Sequence, residues 1–278
     1  MSERRKLQLR LRQLADIRDI MDAMKNLALA EIFKLNSRLG NQQQIVMDLE
    51  HMATDFLSHH PYYYPGNGET IDVWVLFGSE RVFCGDFNEA LIKNLEQRLQ
   101  TAADARSFLI LVGYKLSRRF AGKGERIRVI AGADVTEEIT ATLNRIVNSI
   151  GLLQAQFHSV NVNALFHDTE TGQLSCKQLL PPFKGLPIHA IQHGVPPLMH
   201  VPSVDLFSQL VDDYLYFALH EIAYMSLLAE NNKRIQHMTG ALLRLDERTG
   251  ELTRQYHLHR QEEITEEIEV ILLNTTNI

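Results

Sequence analysis

The first part of the chain carries apolar side chains at the spacing of an amphipathic helix. Residues 3–57 contain no proline, and their first glycine is Gly40. Apolar residues recur there mostly at steps of three or four, which places them on one side of a helix. They are Leu14, Ile17, Met21, Met24, Ala28 and Leu35. Because a helix rises about 1.5 Å per residue, the segment predicts a rod of roughly 80 Å, much of which must lie along a partner helix.

A second long helix is predicted at the other end of the chain. No proline follows Pro202, and Ser203 or Asp205 can cap the helix start. From residue 235 onward, eight positions alternate steps of three and four, and six of them are apolar, as in a coiled-coil seam. They are Ile235, Met238, Leu242, Leu245, Thr249, Leu252, Tyr256 and His259. Further apolar residues are expected to continue the stripe one position out of phase, as a stutter would produce. These are Ile264, Ile268 and Ile271.

Two glycines interrupt the second helical pattern. Gly240 and Gly250 each cost about 1 kcal/mol of helix propensity relative to alanine. We therefore expect either that packing holds the helix at these turns or that another segment approaches closely there.

The charges at the two ends of the chain favour an antiparallel helix pair. The start is basic and the end is acidic, so an antiparallel arrangement brings opposite charges together. The residues concerned are Arg4, Arg5, Lys6, Arg10 and Arg12 at the start, and Glu262, Glu263, Glu266, Glu267 and Glu269 at the end. The alternative is a set of solvated surface charges, each contributing little to stability.

Between the two helices, buried apolar runs alternate with amphipathic stretches. The pattern predicts strands over 70–79, 107–113 and 126–132, helices over 86–102 and 133–153, and a short helix near residue 114. Residues 157–182 indicate a hairpin that turns at Thr171-Gly172. Strands that alternate with helices indicate a largely parallel sheet with helices on its faces.

The predicted fold class is therefore α/β, with a central Rossmann-like α/β lobe. The N- and C-terminal helices form a long antiparallel coiled coil that flanks this lobe. The predicted segments are 1–58 for the first coiled-coil helix, 70–184 for the lobe and 203–278 for the second coiled-coil helix.

The composition fits a soluble globular protein. Of the 278 residues, 45% are hydrophobic and 22% are charged, and the net charge is −6. This acidic balance argues against a dedicated nucleic-acid binder. Two cysteines, Cys84 and Cys176, provide no disulfide framework, which favours a reducing compartment. The charged start is unlike a secretory signal, and no apolar run approaches the about 20 residues that span a bilayer. We expect a cytoplasmic protein that can still dock onto a membrane complex.

The stretch GSERVFCGDFNEAL, residues 78–91, lies where α/β enzymes often keep an active site. It contains neither G-x-G-x-x-G nor G-x-x-x-x-G-K-[ST]. No histidine is singled out as a base for Cys84. We therefore predict a strand-to-helix turn in which Cys84 is a small buried or half-buried residue, and no catalytic residue or bound cofactor.

The histidines do not form a convincing metal site. His189, His193 and His200 lie in a proline-rich connector, where helical spacing has no geometric meaning. His257 and His259 are two residues apart on a helix and point to different sides. Neither group is joined by a cysteine or a well-spaced carboxylate, so we predict no metal. Long seamed helices suit the transmission of force better than the binding of a substrate.

Four motifs carry a resemblance to a known family. The C-terminal helix contains SLLAENNKRIQHM, with Ser226, Glu230, Arg234 and Met238, and then Leu252-Thr253, Tyr256 and RQEEITEEI, which runs from Arg260 to Ile268. The N-terminal helix contains DIRDIMDAMKNLALAEIFK, in which Ile20, Ala23, Met24, Lys25 and Ala28 align, and the lobe contains SERVFCGDFN. In these motifs, and over essentially its whole length, the chain resembles the gamma subunit of rotary F-type ATP synthases.

The chain also departs from that family's pattern. Val82, Phe83, Cys84, Gly85 and Asp86 stand where the family has Gly-Leu-Cys-Gly-Gly. Asn26 replaces a methionine, and the tail ILLNTTNI replaces an alanine-rich one. These differences suggest a divergent branch, such as an alternative-type F-type ATPase.

The resemblance implies a non-catalytic subunit of a proton- or sodium-translocating complex. The coiled coil would insert into a ring of alpha and beta subunits, and the lobe would rest on the epsilon subunit and the c-ring, with no nucleic acid and no membrane insertion. The implied place is peripheral, at the cytoplasmic face of a bacterial inner membrane. The residues expected near the alpha/beta ring are Met24, Lys25, Arg234, Arg260, Gln261 and Thr265, although Met24 and Thr265 could instead be seam or core positions.

Two other functions remain open from the sequence. One is a small-molecule α/β enzyme with a helical dimerisation hairpin, which would need a pocket at the C-terminal edge of the sheet. The other is a coiled-coil scaffold, against which the Arg260 to Ile268 motif argues.

Overall fold

Two long helices contribute to two compact units. The computed structural model describes residues 3–63, 70–101, 107–120, 126–157, 159–169, 171–187 and 198–275. Helix α1 is Glu3–His59 and the last helix, α5, is Ser203–Thr275. The first unit comprises Met1–Leu29 and Arg234–Ile278, and the second comprises Ala30–Lys233. The segments 1–58, 70–184 and 203–278 divide the chain by sequence order, and that division stays a prediction.

In the first unit the two helices run antiparallel. Arg4 Nε lies 3.0 Å from Glu263 Oε2, and Arg18 Nε donates to Asp246 Oδ1 at 2.8 Å. Further along α1, Met21 packs with Met238 and Leu242. Residue numbers therefore rise along α1 as those of its partners fall along α5, which confirms the predicted orientation.

The predicted seam on α5 is confirmed from Ile235 to His259. Every seam position in that range is buried or half-buried, and Met238 is fully buried. The predicted stutter is wrong, because Ile264, Ile268 and Ile271 are all exposed. The half-buried position after His259 is Glu263, which keeps the original phase and pairs with Arg4.

One further expectation for the helices is corrected, and one of two alternatives is removed. Ile17 is 46% exposed and does not belong to the α1 stripe. Arg18, next to it, takes the position between Leu14 and Met21 in the alternating three–four spacing. Gly240 and Gly250 are not sites of close approach within the described chain, because an added Cβ there would have no neighbour within 4 Å.

The second unit is built on a five-stranded sheet of order β3-β2-β1-β4-β5. The strands are β1 Ile71–Phe77, β2 Phe108–Val112, β3 Ile127–Ile130, β4 Val160–His167 and β5 Leu174–Leu180. The first four are mutually parallel, and β5 pairs antiparallel with β4. The loop between β4 and β5 includes Thr171 and Gly172, and it is closed where Asp168 N donates to Gln173 O at 2.9 Å. The largely parallel sheet and its hairpin are therefore confirmed.

Helices cover both faces of this sheet, which is why its central strands are almost continuously apolar. The helices between the strands are α2 Phe87–Thr101, α3 Tyr114–Ser117 and α4 Ile139–Phe157. On one face, Val75 and Ile110 pack in one cluster with side chains of α1, α4 and α5. On the other face, Leu76 and Leu111 pack with side chains of α2 and α3. The fold places the C-terminal ends of β1, β2 and β3 together at one edge.

Candidate partner-contact site and the sheet edge

Close packing fills the C-terminal edge of the sheet, where ligands of open α/β folds usually bind. Gly78, Gly113 and Gly132 follow the ends of β1, β2 and β3. Gly113 has a φ of +108°, and a Cβ on it would lie 2.7 Å from Gly78 O. A Cβ on Gly132 would lie 3.2 Å from Gly113 Cα. The glycines are therefore required because the strand ends pack against one another.

A carboxylate of the chain itself occupies the backbone donors of this edge. Glu80 Oε2 accepts hydrogen bonds from Tyr114 N and Gly132 N, both at 2.8 Å. Backbone N–H groups at such strand ends are the groups that hold phosphates in nucleotide-binding folds. The Glu80 carboxylate of the stretch 78–91 therefore binds to the chain's own backbone, and it connects the ends of β1, β2 and β3.

Cys84 is a buried residue of the turn, as predicted. Its side chain is 5% exposed, and its Sγ lies 3.6 Å from Glu230 Oε1 on α5. The turn has positive φ at Phe83 (69°) and Gly85 (59°). On the same helix, Ser226 Oγ donates to Phe77 O at 3.2 Å. The sequence motifs around Cys84 and Glu230 therefore meet, a contact that no spacing in the sequence indicates.

The cavity beneath this part of α5 is small. Phe77, Gly78, Ser226 and Glu230 are among its lining residues, and its volume is about 30 Å³. Small-molecule sites usually have volumes of about 300–1,000 Å³. The described residues at this edge therefore do not form the pocket that the enzyme alternative requires.

The histidines flagged in the sequence are dispersed. His189 and His193 lie outside the described residues, and His200 is exposed. His259 is half-buried, with Nδ1 3.0 Å from Glu262 Oε2. Among the described residues, no group of three or more His, Cys, Asp or Glu side chains is placed to hold a metal ion.

The six residues expected near the alpha/beta ring all belong to the first unit, but they differ in exposure. Arg260, Gln261 and Thr265 are exposed, and Thr265 Oγ1 donates to Gln261 O at 2.9 Å. Met24 is half-buried against the cluster of Met21, Met238 and Leu242, so it lies at the seam. The remaining two are Lys25, which is half-buried, and Arg234, which is 5% exposed. Their contacts with a partner stay predictions.

An apolar and acidic surface lies next to the exposed members of this set. An open concavity of about 500 Å³ on α5 is lined by Glu263, Glu266, Glu267, Val270 and Ile271. Val270 and Ile271 are more than half exposed, at 57% and 63%. Exposed apolar side chains beside carboxylates make this surface a candidate for contact with a protein partner. Of the apolar residues on this surface, the sequence pattern had singled out only Ile271, as part of the predicted continuation of the seam.

The chain matches a family model over nearly its whole length. The model, described as ATP synthase, aligns with residues 3–273. The chain belongs to the ATP synthase family. Its relatives include the ATP synthase gamma chain of Clostridium botulinum (strain Kyoto / Type A2), 23% identical over 95% of this chain and 94% of the relative. The ATP synthase gamma chain of Clostridium beijerinckii is 21% identical, with the same coverage of both chains.

Solved structures show the same fold. A chain of the Euglena gracilis mitochondrial ATP synthase (OSCP/F1/c-ring) aligns with a TM-score of 0.60 at 14% identity, covering 98% of this chain and 93% of that one. A chain of the Tetrahymena thermophila mitochondrial ATP synthase (central stalk/c-ring) aligns with a TM-score of 0.58 at 17% identity, covering 80% and 99%.

These comparisons confirm the resemblance that the motifs indicated. The chain is a gamma-type subunit of the ATP synthase family, in which catalysis belongs to the beta subunits. A subunit of this kind is a peripheral part of a membrane complex. Within the part of the chain that the structure describes, no helix has both the length and the apolar character needed to cross a bilayer.

Proposed function

We propose that this ATP synthase subunit is the central rotor shaft of its complex. In that role it couples ion flow through a membrane c-ring to the conformational cycle of the catalytic beta subunits. The observation that carries the proposal is the antiparallel pairing of α1 and α5, marked by Arg4–Glu263 and Arg18–Asp246, in a chain that matches the family over 3–273.

The surface of the helix pair supports a partner that surrounds it. Large apolar side chains are exposed on both helices away from the seam. Ile20 is 60% exposed and Leu27 62% on α1, and on α5 Leu243 is 62% exposed and Leu258 59%. A solitary coiled coil gains nothing from such residues, whereas a ring of alpha and beta subunits would remove them from water.

A shaft of this kind must be asymmetric to do work. A rotor that contacted all three beta conformations equally could shift none of them, since only differential affinity moves a conformational equilibrium. The exposed residues vary along this pair, with large apolar side chains such as Leu243 and Leu258 followed by acidic ones near the C-terminal end. In the proposed role, the contacts made with a given beta subunit change as the shaft turns.

The remaining partners follow from the same role. Solved relatives with this fold come from assemblies described as central stalk/c-ring and OSCP/F1/c-ring. We assign the lobe and the adjoining helix ends to contacts with the epsilon subunit and the c-ring. The place that fits is the cytoplasmic face of a bacterial inner membrane, which is supported by the bacterial origin of the two Clostridium relatives.

The first experiment tests the contact residues of α5 with a matched control. Arg260→Ala combined with Gln261→Ala removes two exposed side chains that can hydrogen-bond the surrounding ring. We expect weaker assembly or coupling, measured as ion pumping per ATP hydrolysed, with unchanged helicity of the isolated chain. Arg254 and Gln255 form the same exposed dipeptide six residues earlier. Arg254→Ala with Gln255→Ala is therefore the control, and equal effects of the two double variants would remove the special role of 260 and 261.

The second experiment tests the shaft itself. Affinity-tagged full-length chain should co-purify with alpha and beta subunits when all are expressed together. If alpha and beta subunits assemble without it and it binds neither, the chain is not the shaft. A coiled-coil scaffold would then be the remaining interpretation.

A further inference from the structure

Strand β3 presents an outer edge with available backbone groups. It is the first strand in the order β3-β2-β1-β4-β5, so only β2 flanks it. Leu109 N donates to Arg126 O at 2.9 Å, and Gly113 N donates to Ile130 O at 3.0 Å. Because alternate residues of a strand turn to opposite sides, the N–H and C=O groups of Ile127 and Val129 face away from β2. No other described residue hydrogen-bonds to these outward groups.

Three arginines line this edge on one face of the sheet. The guanidinium of Arg126, just before β3, lies 6.0 Å from the ring centroid of Phe108. Arg128 shares the face of the buried Ile130, since side chains alternate along a strand. Arg145, on α4, donates from Nη2 to Ala131 O at 3.4 Å, just beyond the strand. Positive charge thus lies at the start, the middle and the end of β3.

Arg145 donates to Ala131 O and to Thr142 Oγ1 within the chain. Neither Arg128 nor Arg145 forms an ion pair with a described acidic residue, although the chain as a whole carries a net charge of −6. On the opposite face, Val129 is 56% exposed. The edge of β3 therefore combines outward-facing backbone groups, the exposed side chain of Val129 and positive charge. This combination suits an extended segment that carries acidic side chains.

The same features exclude a second copy of this edge as the occupant. Charged side chains on an edge strand normally prevent association with a like edge, because the like charges repel. A segment with carboxylates at alternate positions would instead find its charges matched. Residues two apart on a strand are about 6.6 Å apart, so Arg126 and Arg128 have the spacing of acidic residues at i and i+2 on a neighbouring strand.

We propose that β3 accepts an added strand from a partner protein, in an extended segment with Asp or Glu at alternate positions. The outward groups of Ile127 and Val129 would pair with the backbone of that segment, and the arginines would select its acidic side chains. Strand addition of this type takes its affinity from main-chain hydrogen bonds and its specificity from alternate side chains. The contact would be additional to those of the shaft and does not depend on them.

The test uses full-length chain and a short labelled peptide of alternating Glu and Val. We expect saturable binding by fluorescence anisotropy, and slower hydrogen exchange at the amides of Ile127 and Val129 in the complex. Arg128→Glu and Arg145→Glu should each weaken binding by roughly tenfold or more, because like charges across an interface repel. Arg244→Glu makes the same charge change at an exposed position of α5 and should leave binding unchanged.

Backbone pairing is separated from simple charge attraction by a second peptide. The same sequence with N-methyl groups on alternate amides keeps all its carboxylates but loses the donors of one edge, and it should fail to bind. Val129→Pro removes an outward N–H and leaves the β2 ladder intact. Should this variant fail to fold, judged by Trp74 fluorescence, the glutamate variants decide the matter. Absence of peptide binding, equal binding by Arg128→Glu and Arg244→Glu, or full binding of the methylated peptide would each overturn the proposal.

Discussion

Glu31 of α1 accepts two hydrogen bonds from Thr136, at the residue where the helical segment leading into α4 begins. Its Oε2 lies 3.0 Å from Thr136 N and 2.9 Å from Thr136 Oγ1, and its Oε1 accepts from Lys34 Nζ at 2.9 Å. Glu31 is 8% exposed. A carboxylate from the long helix thus caps a helix of the lobe, where a negative charge interacts favourably with the helix dipole. Within the second unit, this contact joins α1 to the α/β lobe.

Replacing Glu31 by alanine should therefore destabilise the second unit. The substitution leaves the N–H and hydroxyl of Thr136 without their acceptor, at a cost of about 1–3 kcal/mol for a buried donor. Urea unfolding followed by the fluorescence of Trp74, the one tryptophan of the chain and a residue of β1, measures the loss. Glu137→Ala is the control, since Glu137 also contacts Lys34 but is exposed. Equal losses for the two variants would refute the capping role.

The same contact predicts a dependence on pH. Burial raises the pKa of Glu31, but the hydrogen bonds from Lys34 and Thr136 outweigh it and hold the pKa below its usual value. A carboxyl group with a lowered pKa stabilises the fold above its unfolded-state pKa. That contribution is lost as the pH falls through the folded-state pKa. Wild type should therefore lose more stability than Glu31→Ala on acidification below about pH 4.5, the ordinary pKa of glutamate.

Glycines in the long helix and in the sheet edge should respond to alanine with opposite signs. At Gly240 and Gly250 an added Cβ meets nothing within 4 Å, so alanine should stabilise α5 by about 1 kcal/mol per site. At Gly113 the φ of +108° and the nearby Gly78 O make alanine strongly destabilising. Thermal unfolding of the single variants by circular dichroism compares them. A lower melting temperature for Gly240→Ala would mean that the helix is not free to accept the methyl group.

The stability of the first unit should fall when a seam side chain is shortened to alanine, and should hardly change when a nearby exposed side chain is shortened. Met238 is fully buried with Met21 and Leu242, so Met238→Ala should cost about 2–5 kcal/mol. Leu243 is 62% exposed, and Leu243→Ala should change stability by about 0.5 kcal/mol or less. Far-ultraviolet circular dichroism detects the loss of helix. Because Trp74 lies in the second unit, its fluorescence should change little in either variant.

The elements that were predictable from sequence share a dense local signal. Strand β1, the hairpin and the seam from Ile235 to His259 each repeat one period over many residues, so a single exception does not hide them. The prediction that Ile17 belongs to the α1 stripe was wrong because its apolar character was given more weight than its position in the three–four repeat. The three–four spacing instead places Arg18 between Leu14 and Met21, and its exposed side chain donates to Asp246 of α5.

The contacts that hold the sheet edge and the lobe together could not be predicted from the sequence, because they join distant parts of the chain. Glu80 with Gly132, Glu31 with Thr136 and Cys84 with Glu230 are each separated by more than fifty residues. The sequence around a glutamate in a turn does not indicate which backbone N–H groups will donate to its carboxylate. Only the packing of three strand ends at one edge brings those donors to the carboxylate.

Histidine at position 167 should make the stability of the second unit depend on pH near neutrality. Its ring stacks on Phe87 with centroids 3.8 Å apart, and its Nε2 donates to Phe87 O at 2.8 Å. Burial lowers the pKa of His167 below 6.5, against a smaller opposite effect of the hydrogen bond to Phe87. The unfolded chain therefore takes up a proton more readily than the folded one, so stability is full above about pH 6.5 and declines as the pH falls toward the folded-state pKa.

Melting curves followed by Trp74 between pH 7.5 and 5.5 measure this effect. His167→Gln keeps a donor for Phe87 O but cannot titrate, so its melting temperature should fall less on acidification than that of wild type. Burial also lowers the pKa of His220, so part of the slope should remain in this variant. His51→Gln, at an exposed position of α1, should keep the wild-type slope. If His167→Gln and His51→Gln behave alike, the proton that destabilises the lobe binds elsewhere, and the stacked histidine is only a packing residue.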